Sequence, residues 1–163
     1  MTSSSYLSKF SRYWLPLLLW AGAIFTGSTD VLSTNNTSSF LDPLIYWLLP
    51  HLGAETADAI MHVIRKGGHL MEYAVLAVLC WRALRQPVRG DTRPWGWREA
   101  GLALVIAALY AVSDEFHQSF VPSRTASAWD VLIDTCGAAA GLLIVWVWYA
   151  RPFASSGGRP TAT

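Results

Sequence analysis

Residues 128–150 read AWDVLIDTCGAAAGLLIVWVWYA, a run of 23 residues with only two charged side chains, Asp130 and Asp134. A helix needs about 20 mainly apolar residues to cross a bilayer. This stretch is long enough, and Trp148 near its end suits a membrane–water interface. Within it, Asp130, Asp134, Gly137 and Gly141 fall at i, i+4, i+7 and i+11, one face of a helix. Two acids stand at the outer end of that face, and a small-xxx-small pair lies deeper. Such glycines let a neighbouring helix approach closely and turn the carboxylates inward.

Working outward, three more apolar runs predict spans over Phe10–Ser28, Gly67–Leu84 and Glu99–His117. Pro16 lies inside the first, where transmembrane helices tolerate it. Phe40–Leu52, FLDPLIYWLLPHL, is apolar but too short to span, which predicts an interfacial or re-entrant helix. Residues 55–66 are amphipathic and read as a helix leading into the second span, with Gly67–Gly68 at the junction allowing a kink. Residues 29–39 and 85–98 read as loops, residues 1–9 as a loose polar tail and 152–163 as a disordered one. The fold class is therefore all-α: a polytopic membrane protein, a four-transmembrane-helix bundle with one additional interfacial or re-entrant helix.

Composition agrees. Over the 163 residues 53% are hydrophobic and 14% charged, against about a quarter charged in soluble domains. Nine Trp fit an interfacial belt, to which Trp14, Trp20, Trp47, Trp81, Trp95, Trp97 and Trp148 are assigned. Cys80 and Cys136 make no disulfide framework and read as small core residues. No cleavable signal peptide is expected, because no small-residue cleavage site follows the first apolar run. His51 and His62 read as exposed side chains on interfacial segments.

Basic residues set the orientation. With four spans, Lys9, Arg12, Arg82, Arg85, Arg89, Arg93, Arg98, Arg151 and Arg159 share one side, and only Arg65, Lys66 and Arg124 the other. The positive-inside rule then places both termini in the cytoplasm of a multi-pass cell-membrane protein. These basic residues lie in loops beside apolar runs rather than in a folded patch, so no nucleic-acid partner is expected.

Ionisable groups at membrane depth cost about 2.5–3.5 kcal/mol each on insertion scales, so their placement carries information. Glu72, Asp114, Glu115, Asp130 and Asp134 all fall toward the extracytoplasmic half, as do Lys66, His69, His117, Gln118 and Arg124. Lys66, His69 and Tyr73 share one stripe of the second span, and Asp114, His117 and Gln118 one stripe of the third. The expected site is a polar pocket lined by Lys66, His69, Tyr73, Asp114, Glu115, Gln118, Arg124, Asp130 and Asp134. A cluster that only clamps the helices together is the alternative.

Three segments carry a resemblance: KGGHLMEY (66–73), DEFHQSFVPSR (114–124) and DVLIDTCGAAAG (130–141). In order, spacing and position at helix ends they resemble the VanZ-like family of small bacterial membrane proteins, over about residues 10–150. Asp134 departs from the pattern, where Asn is expected. The resemblance implies a transmembrane domain over 10–151 and, through the protein from which the family takes its name, a link to resistance against teicoplanin-type glycopeptide antibiotics.

Two chemistries fit the polar residues. In the first, the pocket binds an envelope lipid or lipid-linked headgroup, with Lys66 and Arg124 on an anionic group and the acids accepting from sugar or peptide donors. In the second, an intramembrane hydrolase or transferase uses His69, Asp114 and Glu115 as catalytic groups on a lipid-linked phosphate or ester. No soluble cofactor site and no metal-hydrolase motif occur in the sequence. A divalent metal on Asp114, Asp130, Asp134 and a His is a minor variant of the second chemistry. The oligomeric state is not fixed by the sequence.

Overall fold

A computed structural model describes residues 3–29, 43, 45–49, 51–122 and 126–155. Every regular element among them is helical: α1 (Ser3–Lys9), a π-helical stretch (Phe10–Trp14), α2 (Leu15–Gly27), α3 (Ala54–Arg85), α4 (Trp97–Gln118) and α5 (Ala128–Ser155). α3, α4 and α5 pack mutually, and α2 packs on α3.

The first three elements form one rod, so residues 3–9, read as a loose tail, are helical. The π-helical stretch ends just before Pro16, and the Leu15 N–H reaches back five residues to the Phe10 carbonyl. Proline lacks a donor and crowds the carbonyl four residues earlier. A widened turn ahead of it relieves that crowding without breaking the rod.

α3 corrects a second expectation. Residues 55–66 and 67–84 form one helix of 32 residues, with no break at Gly67–Gly68. Both glycines face open space, so their missing side chains mark no tight contact. The helix stops at Gln86, whose φ of 47° and ψ of 58° are left-handed, and Pro87 follows. A left-handed cap succeeded by proline is a common helix stop. Ser127 caps α5 from just before its first residue, its hydroxyl accepting the Trp129 N–H at 3.2 Å. That satisfies one of the orphan donors of the first turn.

The core is built of small residues. Ala100, Ala103, Ala107 and Ala111 form a fully buried or nearly buried seam on α4. It faces Tyr73, Leu76, Ala77, Cys80 and Trp81 of α3 and Ala138 and Leu142 of α5. Small seams replace a large apolar core where helices associate by close packing. The outward faces are apolar instead: Val105, Leu109, Val112 and Phe116 on α4, and Leu132, Leu143, Ile144 and Trp148 on α5, are all exposed. Exposed apolar surface on this scale calls for lipid around it.

Among the described residues two helices are long and apolar enough to cross a membrane, Trp97–Gln118 and Ala128–Tyr149. α2 has only 13 residues, and α3 carries His69, Glu72 and Arg82 among its apolar residues. Of the expected interfacial helix over 40–52, residues 43, 45–49, 51 and 52 are described, and 43 and 45–48 are helical. α5 continues to Ser155, past the boundary expected at Arg151, and residues 156–163 lie outside the described residues.

Two smaller expectations change. Cys80 is buried but Cys136 is exposed, because it sits one residue off the Gly137 face of α5. Trp81 is 4% exposed and stacks on Trp95 at 4.8 Å, so it belongs to the core and not to a belt. Trp20 is tethered inward, its indole N–H donating to the Glu72 carbonyl at 3.0 Å.

Candidate functional site

The polar residues gather where α2 ends, α3 passes and α4 turns into α5. Each backbone delivers its groups by simple register. On α4, Asp114 and Gln118 continue the alanine seam at i+3 and i+7 from Ala111, so the face that packs the helices becomes polar at its last turn. On α5, Asp134 stands one turn above Gly137, and the close approach at that glycine draws the carboxylate in against α3. On α3, His69 and Tyr73 lie on the facing stripe.

Two hydrogen-bonded groups form. In the first, Ser28 at the end of α2 donates to Asp114 Oδ2 at 2.7 Å, and Gln118 Nε2 donates to the same oxygen at 3.0 Å. All three residues are buried. In the second, Lys66 and Asp130 form a direct ion pair across α3 and α5, at a partly exposed edge. Behind it, His69 Nδ1 stands 3.7 Å from Asp134 Oδ1. Glu115, next to Asp114 on α4, binds elsewhere: its Oε2 accepts the Ser127 N–H at 2.7 Å at the entry into α5. His117, half-buried on the same turn of α4, packs on the Phe25 ring at 4.7 Å.

Several acceptors are left over. Asp114 Oδ1, Glu115 Oε1 and both oxygens of Asp134 are buried and lack a hydrogen-bond partner among the described residues. The Tyr73 hydroxyl and His117 Nε2 are in the same condition. Asp134 and Tyr73 are fully buried, and the Tyr73 hydroxyl lies within electrostatic reach of Asp114 and Asp134. Buried polar groups in folded proteins are normally paired, and each that is not costs about 1–3 kcal/mol. Four carboxylate oxygens without a hydrogen bond among the described residues thus lie at this one junction.

The structure thus brings together Lys66, His69, Tyr73, Asp114, Glu115, Gln118, Asp130 and Asp134, from three helices. Arg124 lies outside the described residues. Ser28 was missed in the sequence; a serine closing an apolar run gives no signal until its helix is set beside α4. Lys66 is already engaged by Asp130, so an anion arriving there must compete with a carboxylate. Among the described residues no three His, Cys, Asp or Glu side chains come together as a metal site.

No curated protein and no solved structure matches the chain. The family model described as VanZ/LLP1 does match, over residues 13–149, which include every described element of the polar junction. On that match, covering most of its length, the chain belongs to the VanZ/LLP1 family.

Proposed function

We propose that this is a four-span membrane protein that recognises an envelope lipid or lipid-linked headgroup through the polar junction, at the extracytoplasmic end. The observation that carries the reading is the set of unpaired buried oxygens on Asp114, Glu115 and Asp134. They ask for O–H, N–H or ammonium donors, which sugar, peptide and amine headgroups supply. Lys66, held by Asp130, orders the rim and does not serve as a free anion site.

Topology supports the same picture. The rod of α1, the π-helical stretch and α2, the second half of α3, α4 and α5 make four crossings. The basic residues of the first rod, the end of α3 and the 86–96 loop then share the cytoplasmic end. The junction sits at the opposite end, where a headgroup of the outer leaflet lies. Family membership is consistent with a role in glycopeptide resistance: holding or masking an envelope component would change how much of it a teicoplanin-type antibiotic meets.

Native mass spectrometry of the gently purified protein tests the reading. The wild type carries an adduct with the mass of a lipid whose headgroup bears hydroxyl, amide or amine donors, and Asp134→Asn loses it while remaining folded. A wild-type protein that releases no such lipid, or an adduct that Asp134→Asn leaves untouched, sinks it.

A further inference from the structure

The opposite end of the molecule carries a second arrangement, independent of the junction. Tyr13, in the π-helical stretch, is 5% exposed, and its hydroxyl donates to the Pro87 carbonyl at 2.7 Å. That bond pins the first rod to the loop after α3. Two guanidinium groups flank the pinned ring: Arg12 at 5.4 Å and Arg82 at 5.8 Å from its centre. They come from different helices, and neither has a carboxylate partner among the described residues.

Their neighbours are spent. Arg93 is bound to Asp91 through 2.6–3.1 Å contacts, and this guanidinium holds the Asp91 carboxyl well below the usual carboxylate range. Arg85 donates to the Pro94 carbonyl at 2.5 Å and faces Glu99 at 3.7 Å. The two acids of this end thus each face an arginine other than Arg12 or Arg82. The negative end of the α3 macrodipole accounts for a cation at Arg82. It does not account for Arg12, which belongs to the other helix. Two like charges held against one rigid ring repel unless an anion lies between or beside them, and the ring faces themselves offset only part of that cost.

We propose that the Arg12–Tyr13–Arg82 clip binds the phosphodiester of an anionic phospholipid in the leaflet at this end. Each guanidinium already lies near the ring, so less side-chain freedom is lost when the phosphate arrives, and a planar guanidinium can donate two hydrogen bonds to phosphate oxygens. The neighbouring apolar surface of Phe10, Trp14 and Leu18 is exposed and available to the acyl chains.

The test is native mass spectrometry in detergent with dioleoyl phosphatidylglycerol or dioleoyl phosphatidylcholine titrated onto the full-length protein. The wild type favours phosphatidylglycerol by at least tenfold. Loss of each arginine near an anionic headgroup weakens binding roughly five-fold, so Arg12→Gln with Arg82→Gln removes most of the preference. Arg89→Gln with Arg98→Gln takes the same charge from this end but, outside the clip, changes the preference by less than the roughly five-fold expected for one contacting arginine. Millimolar inorganic phosphate does not compete. Three results overturn the proposal: no lipid preference in the wild type, an equal loss in the Arg89/Arg98 pair, or displacement by inorganic phosphate. The first and third need no variant, so a misfolded double mutant leaves the question decidable.

Discussion

Gly141 on α5 lies against the backbone of Ala74 on α3, so close that an added Cβ would stand 2.6 Å from the Ala74 carbonyl oxygen and 2.9 Å from its Cα. One turn above, Gly137 meets Leu70 in the same way. The obstacle in both places is backbone, which cannot swing aside as a side-chain tip can. This contact sets the distance between α3 and α5, and with it the Lys66–Asp130 and His69–Asp134 rungs above.

Gly141→Leu therefore separates the two helices. The expected loss is roughly 3 kcal/mol, the upper end of overpacking in a filled core. Thermal unfolding in detergent measures it. Gly101→Leu, at a glycine of α4 that faces open space, is the control and changes stability little. Equal melting temperatures for the wild type and Gly141→Leu contradict the packing described.

The Lys66–Asp130 pair is half-buried, between the surface case and the buried one. Removing Lys66 alone leaves Asp130 without its ion-pair partner, beside Glu115 and Asp134. Lys66→Gln is expected to cost roughly 1–3 kcal/mol, more than a surface pair and less than a fully buried one. The double variant Lys66→Gln, Asp130→Asn recovers much of that loss. A double-mutant cycle with no coupling shows that the pair is ornamental.

Asp134 behaves in the opposite way. Its carboxyl is fully buried and both oxygens lack hydrogen bonds among the described residues, so keeping an acid there costs stability. Asp134→Asn is expected to keep or raise the melting temperature while abolishing headgroup binding and any effect on teicoplanin susceptibility. A variant that loses both folding and binding assigns Asp134 to the frame.

Orientation is tested by labelling. In a protein freed of native thiols by Cys80→Ala and Cys136→Ala, Phe120→Cys is placed just past α4 and Val88→Cys in the loop after α3; both positions are exposed. An impermeant thiol reagent added to intact cells is expected to modify the first and not the second. The reverse pattern moves the junction to the cytoplasmic face.

The sequence by itself determined the helical class, the ends of α4 and α5 to within a few residues, and which residues are polar at a depth where polarity is costly. Those conclusions rest on local quantities: apolar run length, a period of 3.6 and the number of charges in a window. The Asp130–Asp134–Gly137–Gly141 stripe was legible for the same reason, since one helix contains all of it. Tertiary structure decided the rest. A glycine pair in α3 reads as a kink in isolation, yet packing against α4 and α5 outweighs the roughly 1 kcal/mol per residue that glycine costs a helix. Trp81 reads as a belt residue until Trp95 stacks on it from across a loop. Ser28 joins Asp114 only once α2 lies beside the end of α4, and Lys66 chooses Asp130 only once two glycines bring α3 and α5 together. Partner choice among charges depends on distances between helices, and no local pattern in the chain encodes those distances.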